Sequence, residues 1–113
     1  MTGGEAVVET LLVNEVEVVT GLIGSSTLEI LDGLYNNAEK IRYIGCRHES
    51  NGMIMMDAYA RYTGKNGVFL SGQAGPGVSN TVTAMAQAKA AFSPVVNLAG
   101  AIASDHKLSL IHI

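Results

Sequence analysis

The chain has 113 residues, the length of one domain, with 48% hydrophobic and 15% charged residues and a net charge of −3. Seven basic residues against 10 acidic ones, with no basic run, leave no electrostatic footprint for nucleic acid. No apolar run reaches the roughly 18 residues that span a bilayer, "MTGGEAVVET" lacks a secretory basic segment, and the lone Cys46 excludes an internal disulfide or a cysteine zinc cluster, so a cytoplasmic globular protein is expected.

Thr2 and Glu5 have capping-box spacing, which predicts a helix carrying Ala6, Val7, Thr10, Leu11 and Val13 at helical intervals. A β-branched run, Val16 to Thr20, predicts the first strand, and "GLIGSS" (21–26) a turn. Ser26 with Glu29 repeats the capping-box spacing ahead of a helix that ends at Asn36-Asn37. "IRYIGC" (41–46) is the second predicted strand. Ser50 or Asn51 is the expected cap of a helix to about Tyr62, with Met53, Met56 and Ala60 along one side. "TGKNG" (63–67) is a turn, "VFL" (68–70) a short buried strand, and "SGQAGPGVSN" (71–80) a glycine-rich loop. One alanine-rich helix is expected over about 78–91, broken by Ser93-Pro94, and "VVNLAG" (95–100) is the fourth strand.

Strand and helix alternate four times with short connections, and the strands are nearly continuous apolar runs. That pattern predicts an α/β fold, a doubly wound parallel sheet with helices on both faces. In such sheets ligands bind beyond the carboxyl ends of the strands. "GLIGSS", "CRHESN" and "SGQAGPGVSN" all fall at those ends. More than four strands are expected of such a fold, so the domain is read as residues 1–107, incomplete at its C-terminus, with 108–113 as a tail foreign to it.

The glycine loop has the order G-x-x-G-x-G, which is not the dinucleotide fingerprint, and "TGKNG" lacks the parts of a phosphate-cradling loop. Its glycines serve either ligand approach or close packing. Glu49 has two readings as well. A carboxylate at the start of a helix is favoured by the helix dipole. A carboxylate between an apolar strand and a Met-rich helix is also partly desolvated, which makes it a usable proton donor or acceptor. Cys46 and His48 are read as structural, Met53, Met55 and Met56 as core or interface packing, and Asp57 with Arg61 as an ordinary i,i+4 helix pair.

Taken in order, "TGGEAVVETL", "GLIGSS", "RHE", "DAYARYTGKNGV", "GPGVSN" and "SPVVNLAG" resemble the N-terminal pyrimidine-binding domain of thiamine-diphosphate-dependent enzymes, in the acetolactate-synthase-like branch. The resemblance runs from about Thr2 to His106. It implies that Glu49 hydrogen-bonds N1′ of the cofactor's aminopyrimidine, favouring the 4′-imino tautomer that deprotonates the thiazolium C2. It implies cofactor contacts from Ile23 and Gly24 after the first strand, and from Gln73, Gly75, Pro76 and Asn80 beside the pyrimidine. Acetolactate synthases usually carry Pro, Gln and Gly where Ile23, Ser50 and Ala58 stand, and a hydroxyl residue where Gln73 stands. "GLIGSS" and Gln73 look more like sulfoacetaldehyde acetyltransferase, a relative in the same superfamily. In the family a C-terminal domain holds the diphosphate and its magnesium, usually across a dimer interface. Its Gly-Asp-Gly motif does not occur in these residues, so the resemblance implies half of a shared site, inactive alone, within a homo-oligomer acting on a 2-oxo acid or related aldehyde. A nucleotide-binding module, or an assembly domain whose alanine-rich helix and Met cluster form a dimer face, are the other readings.

Overall fold

The computed structural model describes residues 1–102. The boundary expected at 107 and the tail 108–113 lie outside the described residues. The elements in chain order are α1 (Gly3–Val13), β1 (Val18–Gly21), a 3-10 turn (Ser25–Thr27), α2 (Leu28–Asn36), β2 (Arg42–Gly45), α3 (Glu49–Thr63), β3 (Gly67–Ser71), α4 (Pro76–Ser79), α5 (Val82–Ala90) and β4 (Val95–Ala99). The four strands form one all-parallel sheet in the order β2-β1-β3-β4. The order reverses between β1 and β3, so the connections after these two strands leave in opposite directions along the sheet.

Alternation along β3 explains the two helical layers. Val68 and Leu70 point to one face and join Val8 and Leu11 of α1, Leu34 of α2, Val19 and Ile41 in one core. Phe69 points to the other face and joins Met53 and Met56 of α3 and Ala84 of α5. All five residues of β3 are buried, as expected of a central parallel strand covered on both sides. Among the described residues, no helix is long and apolar enough to cross a membrane.

The capping box of α1 forms: the Thr2 hydroxyl accepts from the Glu5 amide at 3.2 Å, and the Glu5 carboxylate accepts from the Thr2 amide at 2.7 Å. The second one does not. Ser26 lies in the 3-10 turn, and its hydroxyl donates to Gly72 O at 3.1 Å and accepts from Ala74 N at 3.2 Å. A long-range contact has taken the side chain that spacing assigned to a local one. The cap of α3 also differs. His48, in extended conformation, caps it by accepting from Ser50 N at 3.2 Å through Nδ1, and the Ser50 hydroxyl turns to Asn80 O.

The alanine-rich helix is two helices, α4 and α5, parted at Asn80-Thr81. The Thr81 hydroxyl donates to Val78 O at 2.6 Å, which competes with continuation of the backbone ladder. Asp57 is no ordinary surface partner of Arg61. Its side chain has no accessible surface and accepts from Arg61 at 2.8 Å, from Gln87 Nε2 at 3.2 Å and from the Ser93 hydroxyl. It ties α3 to α5 and to the turn entering β4.

Candidate functional site at the carboxyl edge

The sheet order decides what meets at this edge. α3 leaves β2 at one side and crosses β1 to lie over β3, with a Cβ on Gly52 falling 2.4 Å from the Phe69 ring. Its first turn therefore arrives beside α4, which starts at the end of β3. The Asn80 side-chain amide donates to Glu49 Oε2 at 3.0 Å. A Cβ on Gly77 would stand 3.4 Å from Glu49 Oε1 and 3.2 Å from Gln73 Cβ. Glu49 is 8% exposed, and among the described residues its Oε1 has no hydrogen-bond partner. A buried carboxyl with one oxygen fixed and the other left unpaired is held ready to accept from, or donate to, a group arriving from outside the domain.

The glycine loop after β3 joins the other two connections. On one side it meets the loop after β1: a Cβ on Gly24 would fall 1.8 Å from Gly72 O, and one on Gly72 2.1 Å from Leu22 O. Side chains cannot fit there, so these two glycines serve close backbone packing. On its other side the loop meets α3 through Asn80, Gly77 and Ser50. Gly75 adopts φ +78°, a conformation suited to glycine, and Pro76 opens α4 at a position that needs no amide hydrogen.

Of the sequence-predicted residues, Glu49 and Asn80 are in contact, Gln73 stands across Gly77 from Glu49, and Gly75 and Pro76 build the turn that delivers Asn80. Ile23 is 73% exposed, and Gly24 packs on the glycine loop by its backbone, not on Glu49. Of the two roles left open above, Gly72 takes close packing. Sequence reading missed the hydrogen bond of Ser50 to Asn80 O and that of Asn97 to Thr81, the next residue. The available signal was a polar residue, Asn97, inside an apolar strand.

Cys46 and His48 do not form a pair. The Cys46 thiol donates to Gly21 O at 3.2 Å, burial pushes its pKa up, and His48 is occupied as the helix cap. An apolar groove of about 430 Å³ lies elsewhere, between α1 and β4, lined by Val7, Leu11, Val68, Val96 and Leu98 among others. Among the described residues, no three His, Cys, Asp or Glu side chains come together to hold a metal ion.

Comparison with known proteins shows the family. The model of the family "Thiamine pyrophosphate enzyme, N-terminal TPP binding domain" matches residues 1–110. The chain is 39% identical over 110 residues to a catabolic acetolactate synthase of Raoultella terrigena, covering 97% of this chain and 19% of that protein. It is 45% identical over 96 residues to a sulfoacetaldehyde acetyltransferase of Alcaligenes xylosoxydans xylosoxydans, covering 85% of this chain and 15% of that protein. It is 36% identical over 102 residues to an acetolactate synthase of Mycobacterium avium, covering 90% and 16%. The chain thus spans less than a fifth of the length of these relatives. With the family model matched along almost all of its length, the chain belongs to the thiamine pyrophosphate enzymes, as their N-terminal cofactor-binding domain.

Proposed function

We propose that this domain contributes the aminopyrimidine-activating half of the site in a thiamine-diphosphate-dependent lyase or transferase, with Glu49 as the activating carboxyl. The observation that supports this most is the state of Glu49: buried at the carboxyl edge, Oε2 fixed by Asn80, Oε1 unpaired and facing the bare Gly77. The residues present fit an aminopyrimidine. Any side chain at position 77 would fill the space beside Oε1, and a carboxyl is the group that can share a proton with a ring nitrogen.

Thiamine diphosphate, when bound, supplies the carbanion chemistry. Glu49 holds a proton at the ring nitrogen. Asn80 keeps the carboxyl turned toward that nitrogen by fixing Oε2. Gln73, Gly75 and Pro76 shape the wall beside it, and Ile23 and Gly24 line the neighbouring loop. The diphosphate and magnesium are assigned to another part of the full-length polypeptide, and the site to an interface with a second subunit in a cytoplasmic homo-oligomer. The small-molecule substrate is a 2-oxo acid or related aldehyde.

Full-length protein carrying Glu49→Gln tests this. Gln keeps the size and the Asn80 contact but cannot share a proton with a ring nitrogen in the same way. Loss of a positioned acid–base group costs about 10²–10⁴-fold, so kcat is expected to fall by at least ~100-fold. Turnover within a few-fold of wild type would remove Glu49 from the mechanism.

A narrower reading is favoured by Gln73, by Ile23 and by the 45% identity to a sulfoacetaldehyde acetyltransferase. On it, the full-length enzyme consumes sulfoacetaldehyde. Formation of acetolactate without consumption of sulfoacetaldehyde would reject this reading and leave the proposal for Glu49 intact.

A further inference from the structure

A chain of polar side chains, Ser71 and Thr81 buried and Asn97 half-buried, runs from the sheet to the candidate site, and nothing in the reading of Glu49 uses it. Ser71 at the end of β3 and Asn97 on β4 share the sheet face that carries Phe69, because Phe69 pairs with Asn97 and Ser71 follows Phe69 by two residues. The Ser71 hydroxyl donates to Asn97 Oδ1 at 2.9 Å. Asn97 Nδ2 donates to the Thr81 hydroxyl at 3.0 Å, and that hydroxyl donates to Val78 O at 2.6 Å. Ser71 and Thr81 have no accessible surface. Each hydroxyl has one hydrogen to give, and the bonds run in one consistent direction, which fixes the orientation of the Asn97 amide.

We propose that Asn97 and Thr81 are positioning residues, which break the helix after α4 and so turn Asn80 back onto Glu49. The Thr81 hydroxyl closes the turn on Val78 O, and Asn97 holds that hydroxyl from the sheet side. The residue before Thr81 is Asn80, whose carbonyl is taken by the Ser50 hydroxyl and whose side chain holds Glu49 Oε2. An amide inside an apolar strand is costly unless paired, and here the pairing acts on Thr81, the chain neighbour of the residue that holds the carboxyl. Strand β4 therefore sets the direction of Glu49 without touching it.

This inference rests on the proposed role of Glu49, and its test separates the two. Calorimetry on the full-length apo-protein measures the affinity for thiamine diphosphate with magnesium in Thr81→Val, Thr81→Ser, Asn97→Ala, Glu49→Gln, Glu49→Ala and the Thr81→Val/Glu49→Ala double variant. Thr81→Val keeps the volume and removes the hydroxyl. It is expected to weaken binding on the order of three- to tenfold, the worth of one hydrogen bond. Asn97→Ala should do the same, Thr81→Ser should bind as wild type, and the Thr81→Val effect should vanish in the Glu49→Ala background, where the positioned group is gone. If Glu49→Gln abolishes turnover but Thr81→Val acts equally in both backgrounds, or lowers only the melting temperature, the positioning role is refuted and Glu49 stands. If Glu49→Gln binds and turns over as wild type, the role of Glu49 falls, and the positioning role falls with it.

Discussion

Replacing Asp57 tests how this domain holds its second layer together. Asp57 sits two turns into α3, with no accessible surface, accepting from Arg61, Gln87 and Ser93. Asp57→Ala removes all three bonds and leaves the Ser93 hydroxyl and the Gln87 amide facing a void. Breaking a buried charge pair by deleting one partner costs about 3–5 kcal/mol. The guanidinium of Arg61 is half-exposed and recovers water, so the low end, about 3 kcal/mol, is expected. Asp57→Asn keeps the volume and can keep the Arg61 and Gln87 bonds, with the Ser93 hydroxyl rotating to accept. Hydrogen bonds to a charged group are worth about 1.5–3 kcal/mol against about 0.5–1.5 for neutral ones, so the loss there is about 1–2 kcal/mol. The hydrogen bond from Ser93, above all, lowers the pKa of Asp57, with Gln87 and Arg61 adding to it against the cost of burial. A carboxyl whose folded pKa is depressed stabilises the fold fully above its unfolded value, near 3.9, and loses that contribution as pH falls through the folded one. The gap between wild type and Asp57→Asn should therefore be constant from pH 7 to about 5 and close in more acid solution. Hydrogen exchange of the α3 and β4 amides in the full-length protein, converted to opening free energies, measures both. Asp57→Ala within ~0.5 kcal/mol of wild type, the range of an indifferent surface change, would refute the buried-hub reasoning. A gap that widens with acidity would refute the sign.

Other substitutions probe the close approaches at the carboxyl edge. Gly24→Ala places a Cβ 1.8 Å from Gly72 O, so the two loops must separate; overpacking of this kind costs about 1–3 kcal/mol, and a melting temperature equal to wild type would contradict the packing. Gly77→Ala places its Cβ 3.4 Å from Glu49 Oε1; it should weaken thiamine diphosphate binding more than it lowers stability, and unchanged affinity would count against Glu49 Oε1 as the contact. Among the described residues, Tyr43 Oη is the one side-chain oxygen or nitrogen that is sealed from solvent and has no hydrogen-bond partner, whereas the unpaired Glu49 Oε1 keeps some exposure. Removing an unsatisfied hydroxyl recovers part of a penalty of about 1–3 kcal/mol, so Tyr43→Phe should be neutral or stabilising in thermal melts, and a destabilisation above ~1 kcal/mol would reveal a partner.

How much of this was legible in the residues depends on the range of the interaction. The Thr2–Glu5 box forms because both partners lie in one turn and nothing distant competes. The same spacing at Ser26 and Glu29 fails because Ser26 faces Gly72, 46 positions away, and two contacts to the glycine loop replace one local cap. The predicted strands overlap the observed ones, within two residues at their ends, because an apolar β-branched run needs no partner to be recognised. Their order 2-1-3-4 was not legible, and it is the order that carries α3 across β1 and brings Glu49 to Asn80. Asp57 shows the intermediate case. Its spacing from Met53 and Ala60 places it on the buried face of α3 by periodicity alone, yet an available Arg61 at i+4 gave the spacing a simpler solvent-exposed explanation. The polar residues in the apolar pattern, buried Asp57 in a Met-lined helix face and half-buried Asn97 in an apolar strand, are those for which local reasoning fails. Each is there because it satisfies groups from other elements: Asp57 those of α5 and the turn into β4, Asn97 those of β3 and the α4–α5 break. A buried polar side chain survives in an apolar layer only where distant partners satisfy it. Such residues therefore mark, in a sequence with few charges, the positions where elements must meet in one arrangement, and here one of those arrangements ends at Glu49.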